Sequence, residues 1–270
     1  MHEYDKAIFD FSKAIEIKPD YSTAYCNRGL AYAHKGQIDS SIINFNSSIK
    51  FDPNNSEAYF NRGVSYYYKS NDSKAFDDFT MAIRHNPKNF KAYYNRGGIF
   101  YNKKEYDKAI PDLSMVIKIN PSDSNAYYHR GIAYIKKGDS IKAISDFNST
   151  ININPNYSKA YFDRGMIYYN TGKFDSALTD LYKTINLNPK HDEAYFYRGT
   201  AFGKIGKLDS ALTDLSIAIN YNHNHFEAYF NRGLAYNLKG KYDSAIADFN
   251  CAIKLKPNDA DVYFNGSSWK

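Results

Sequence analysis

The chain has 270 residues, 43% of them apolar and 17% aromatic, with 27 Tyr against a single Trp. A formal charge of +6 would suit a polyanion, yet seven of the eight Arg stand at one repeated place and the Lys are scattered. That distribution lacks the basic cluster a phosphate-tracking surface needs and disfavours nucleic acid as a partner.

No run of 18 apolar residues is present, so no membrane-spanning helix is expected. Met1-His2-Glu3-Tyr4-Asp5 is too polar for a secretory leader, which makes a cytoplasmic location the expectation. Cys26 and Cys251 stand at unrelated places, and no disulfide framework follows from them.

In chain order, residues 1–21 carry the pattern of a second helix alone, with Ala7, Phe11, Ala14 and Pro19 in place. Ala24-Tyr25-Cys26-Asn27-Arg28-Gly29 then opens a frame that returns at a constant interval of 34 residues, closing on Gly63, Gly97, Gly131, Gly165, Gly199 and Gly233. Such a period marks a solenoid of stacked supersecondary units. In the unit 22–55, helical spacing of Tyr25, Gly29 and Tyr32 predicts a first helix over 22–34, ended by Lys35-Gly36. Asp39 or a neighbouring Ser is expected to cap a second helix with Ile42, Phe45 and Ile49 as its apolar stripe, stopped by Asp52-Pro53. The same reading covers 56–89, 90–123, 124–157, 158–191, 192–225 and 226–259, and 260–270 begins a further first helix.

Three departures carry expectations. Gly97-Gly98 should weaken the third first helix, Pro111 falls early in a second helix where a kink is tolerable, and His223 replaces the Pro that closes the other units. The incomplete ends predict either a segment of a longer protein or head-to-tail self-association, in which the end of one molecule completes the start of the next.

A helix-interior Gly costs about 1 kcal/mol relative to Ala. The repeated Gly is therefore expected to permit a close approach by the small residue twelve places on: Ser41, Ala75, Ala109, Ala143, Ala177, Ala211 or Ala245. Phe45 and its counterparts would fill the adjoining space. Each Arg before the Gly is matched by an acid in a second helix: Asp10, Asp78, Asp112, Asp146, Asp180, Asp214 or Asp248, with Asn44 the exception. Sixteen residues separate Arg62 from Asp78 and eighteen separate Asp78 from Arg96, so two pairings are open. The one between neighbouring units is favoured.

Tyr25, Gly29, Tyr32, Ser41 or Ala75, Phe45, Ser48 or Ala82, and Pro53 resemble the tetratricopeptide repeat place for place, over nearly the whole chain. Pentatricopeptide repeats are similar but run one residue longer and lack this glycine–alanine–proline frame. The resemblance implies an all-α, right-handed superhelical solenoid of antiparallel helix pairs whose first helices line a concave groove. It assigns to that groove the residues just before the Arg (Asn27, Asn61, Asn95, His129, Asp163, Tyr197 and Asn231), joined by Lys91, Tyr67, Tyr68, Tyr101, Asn102, Tyr169 and Asn237. Asn can donate to and accept from a peptide backbone, and Tyr supplies area with a polar tip.

In a clamp for chaperone-tail carboxylates, known in certain members, Asn61 and Asn95 resemble one of the Asn, and Lys91 or Lys159 resembles one of the Lys. Phe60, Tyr94 and Phe162 stand where a second Lys belongs, and no groove Arg is present, so that partner is disfavoured. No catalytic set, metal site or cofactor is expected: His223 and His225 are two ligands at most, and Cys26 has no activating neighbour in the repeat geometry. The reading is a protein–protein interaction scaffold that is not an enzyme. Its rivals are the regulatory arm of a larger enzyme (a glycosyltransferase, kinase or protease) and RNA binding.

Overall fold

A computed structural model describes residues 2–257; the eighth first helix expected over 260–270, and with it the head-to-tail contact, lies outside the described residues. Every regular element among them is a helix. The chain divides into two compact units, one ending at Asp139 and one beginning at Ser140.

The first unit holds α1 (His2–Ile17), α2 (Ser22–His34), α3 (Ile38–Phe51), α4 (Ser56–Tyr68), α5 (Asp72–His85), α6 (Phe90–Asn102), α7 (Tyr106–Ile119) and α8 (Ser124–Lys136). The second holds α9 (Ser140–Ile153), α10 (Ser158–Asn170), α11 (Phe174–Leu187), α12 (Asp192–Lys204), α13 (Leu208–Tyr221), α14 (Phe226–Leu238) and α15 (Tyr242–Leu255). Within each unit, first and second helices pair as hairpins, α2 with α3 or α12 with α13, and each second helix also packs on the next first helix. No described helix is long and apolar enough to cross a membrane.

The turns explain the constant length. First helices end at a residue in the left-handed region, filled by Gly36, Gly138, Gly172, Gly206 and Gly240, and by Ser70 (φ 56°) and Lys104 (φ 61°) in two hairpins. Second helices end where the residue before Pro is driven extended, as at Asp52 (φ −136°, ψ 93°). Asn222, before His223, adopts the same conformation (φ −135°, ψ 91°). Its side chain accepts from the Asn224 amide at 3.1 Å, so an Asx turn holds the shape without proline. Pro111 sits inside an unbroken α7.

Three expectations are corrected. Gln37, not Asp39, precedes α3, and it makes no side-chain cap; Asp39 lies in the first turn and binds Lys69 of the next first helix at 2.5 Å. Side-chain caps appear on first helices, where Asn55, Asn89 and Asp123 accept from the amides of Ala58, Ala92 and Ala126, and on the second helix α5, where Asn71 accepts from the Lys74 amide at 3.2 Å.

The gap at the repeated Gly is filled mainly from fifteen and sixteen residues on, and the small residue twelve places on approaches only with its carbonyl oxygen, at Gly97 and Gly165. A Cβ on Gly29 would lie 2.7 Å from the Phe45 ring, and one on Gly63 would lie 2.8 Å from the Phe79 ring. Where Leu replaces Phe, a Cβ on Gly97 would lie 3.3 Å from the Asp112 Cβ and 3.6 Å from both the Leu113 Cγ and the Ala109 carbonyl oxygen. The small residue meets the following first helix, with Ser41 Oγ 3.1 Å from Ser65 Oγ.

The third correction concerns the Arg ladder. In five hairpins the carboxylate binds the Arg of the same hairpin: Arg62 donates from Nε and Nη2 to the two oxygens of Asp78 at 2.8 and 2.7 Å. Arg96–Asp112, Arg164–Asp180, Arg198–Asp214 and Arg232–Asp248 repeat this fork. Arg28 donates to Asn44 at 2.7 Å. Asp10 is exposed.

The link to the neighbour comes from the third nitrogen. Nη1 of Arg28, Arg62, Arg96, Arg130, Arg164 and Arg232 donates to Ser12, Asn46, Thr80, Ser114, Asn148 and Ser216 on the preceding second helix. At Arg198 that place is Tyr182, whose ring lies 4.3 Å from the guanidinium carbon. Each of these Arg also lies over the Tyr three residues earlier, 5.5 Å from the Tyr59 ring at Arg62.

Candidate functional site

The fork fixes which side of each first helix is committed. Arg turns toward the second helix, and its carboxylate is buried, Asp78 being 4% exposed. The hydrogen bond to Asp112 holds the Arg96 guanidinium above its ordinary range, against the opposing effect of burial; Asp180 and Asp248 do the same for Arg164 and Arg232. These guanidiniums are occupied structural cations rather than anion sites.

The residue just before the Arg is half-buried at Asn27, Asn61, Asn95, His129, Asp163, Tyr197 and Asn231. In the first unit Asn61 counters, in small part, the upward push of burial on the Cys26 thiol of α2. Asn95 donates to the Lys91 carbonyl at 2.8 Å. His129 lies edge-on to Tyr94 of α6 with centroids 5.8 Å apart, and to Tyr128 at 5.3 Å.

In the second unit Tyr197 meets Phe162 at 6.2 Å and Tyr169 at 5.4 Å, both on α10. Burial, then the charges of Glu193 and Glu227, raises its phenol. Asn231 donates to Thr200 Oγ1 of α12 at 3.3 Å. Asn237 Oδ1 is buried and makes no hydrogen bond.

Four of the expected groove residues converge. Tyr67, Tyr101, Asn102 and His129 line one cavity of about 230 Å³ together with Tyr94, Gly97, Gly98 and Leu113. Tyr101 stands edge-on to Tyr106, centroids 5.4 Å apart. Asn61 and Lys91 line a separate, more polar hollow with Glu57, Phe60, Asn89 and Lys88. Asn27 borders neither, and Asp163, Tyr197 and Asn231 belong to the other unit. Tyr68 is 75% exposed.

Sequence reasoning missed Tyr94 and Gly98 as lining residues. The signal was present: Leu30, Val64, Ile132, Met166, Thr200 and Leu234 occupy the place that Gly98 leaves bare.

The nucleophile and metal candidates have ordinary structural roles. Burial first, and the Glu57 charge second, push the Cys26 thiol up to about 12, which leaves no thiolate at neutral pH. His225 lies 3.4 Å from Glu227 and 4.5 Å from the Phe196 ring. Among the described residues no group of three or more potential metal ligands occurs.

Family models described as the tetratricopeptide repeat match residues 90–123 and 226–259, and in a second version 114–145 and 147–179. A model described as the TPR repeat matches 2–36 and 31–70. Together these cover more than half of the chain. No curated protein sequence matches at a significant level.

Among solved structures, YrrB, described as a TPR protein with an unusual peptide-binding site, superposes with a TM-score of 0.64 at 23% identity, over 69% of this chain and 96% of that one. MamA gives 0.57 at 28% identity, over 61% and 96%. A tetratricopeptide repeat protein from Parabacteroides merdae gives 0.60 at 20% identity, over 91% and 97%.

Proposed function

Since this chain belongs to the tetratricopeptide repeat family, we propose that it is a protein–protein interaction scaffold whose first-helix face holds a segment of a partner. The observation that carries this reading is the division of labour on α2, α4, α6 and α8. The Arg of each helix is spent on the fold, while the neighbouring Asn27, Asn61, Asn95 and His129 form a half-buried polar row beside exposed Tyr and Lys. Asn side chains offer a donor and an acceptor to an extended backbone, and a row of them on separate helices can grip it at several points. The peptide-binding site named for YrrB lends the same reading support by likeness of fold alone.

The test is selection of phage-displayed dodecapeptides on the intact protein, followed by fluorescence anisotropy with the enriched peptides. Asn61→Ala combined with Asn95→Ala should weaken binding at least tenfold while the melting temperature stays within a few degrees. Equal affinity for the double variant, or no enrichment at all, would refute the groove assignment.

A further inference from the structure

The cavity bounded by Tyr67, Tyr94, Tyr101 and His129 differs from the rest of the first-helix face in what walls it. Three tyrosine rings and an imidazole surround the backbone of Gly97 and Gly98, with Leu113 behind. A Cβ on Gly98 would meet no atom within 4 Å, so the space beside it is open where Val64 and Ile132 carry branched side chains in the flanking first helices. We propose that this cavity takes one aromatic side chain of the partner segment, and that Gly98 is what keeps it open. The proposal rests on the groove reading and names the chemistry of its anchor.

Three observations select an aromatic occupant. The volume is about 230 Å³, and a cavity of about 150 Å³ already accepts benzene. The walls are braced edge to face before any ligand arrives, Tyr94 on His129 at 5.8 Å and Tyr101 on Tyr106 at 5.4 Å, so little ordering remains to be done on binding. The lining contains no carboxylate. Lys91 lies on the same helix, and Lys103 and Lys104 follow directly after it, while Glu105 pairs with Lys108 at 2.6 Å. A box of aromatics also suits a methylated ammonium, but here the local charge is already basic and opposes a cation. A neutral ring is the occupant that both the walls and the charge admit.

The experiment uses the full chain, labelled with ¹⁵N and deuterium, titrated with N-acetyl-tryptophanamide and separately with N-acetyl-trimethyllysine amide. The tryptophan probe should move the Gly97 and Gly98 amide resonances saturably, and Gly98→Val should abolish that shift while the fold, read from the remaining resonances, is kept. Tyr67→Ala, at an exposed site, should weaken the probe at least threefold without touching the glycines. Stronger shifts with the trimethyllysine probe would overturn the proposal in favour of a cation site. Unchanged tryptophan shifts in Gly98→Val would overturn it outright. Peptides selected on the protein separate the two levels: if Asn61→Ala with Asn95→Ala weakens them and Gly98→Val does not, the groove stands and the aromatic anchor falls.

Discussion

Gly63 and Gly98 are both helix-interior glycines, and the space around them makes opposite demands. A methyl on Gly63 would stand 2.8 Å from the Phe79 ring and 3.2 Å from the Asp78 Cβ. Gly63→Ala should therefore cost about 1–3 kcal/mol through overpacking, outweighing a propensity gain of about 1 kcal/mol. Gly98→Ala meets nothing and should gain up to about 1 kcal/mol. Urea unfolding of the two variants against the parent reads both signs at once.

Cys26 supplies a pH signature at the same scale. Its thiol sits at about 12 in the fold against an ordinary value of 9.0. A raised acid stays protonated in the native state while the unfolded chain ionises, so this contribution is fully present below about pH 9 and declines as pH climbs toward 12. The urea midpoint should fall more steeply between pH 8 and 10 for the parent than for Cys26→Ala. Parallel curves would contradict the burial argument.

The helices were legible in the sequence because periodicity, Gly and Pro all act within a few residues of where they stand. The bounds of α2, Ser22–His34, agree with the pattern of its apolar face. What the pattern could not resolve was choice between neighbours. A second helix is flanked by two first helices, and separations of sixteen and eighteen residues both place an acid within reach of an Arg. The structure uses both flanks, through different atoms of one guanidinium. The backward contact hides because its acceptors vary among Ser, Asn and Thr, so no single letter repeats at Ser12, Asn46, Thr80 and Ser114. Gly98 was visible as a departure, but only coordinates reveal which rings surround it.

Two turn positions show where an element departs from its own rule. Lys104 holds φ 61° where five other hairpins place Gly, a conformation costing a side chain about 1–2 kcal/mol. Lys104→Gly should raise the melting temperature. His223→Pro should add about 0.4–1 kcal/mol, since the residue before it already has the extended backbone that Pro imposes. A lowered melting temperature for either would mean that the native turn relaxes differently from its neighbours.

At the scale of the molecule, cohesion passes between adjacent hairpins and unfolding is therefore graded. Arg96→Leu leaves Asp112 buried without its partner and also cuts the bond to Thr80 of α5. Losing one member of a buried pair costs roughly 3–5 kcal/mol. Amide hydrogen exchange should accelerate in α5, α6 and α7 while α13 and α14 keep their protection. Uniform acceleration along the chain would show that the array unfolds as one body instead.

The guanidinium fork has a direction. The clasp of each hairpin is completed by a side chain made later, Asp78 after Arg62, whereas the tether to the stack is received by one made earlier, Asn46 before Arg62. A polypeptide leaving the ribosome amino end first thus carries, at every stage, a docking point already in place for the hairpin about to emerge. Growth of the stack can keep step with synthesis, each addition seated on what came before.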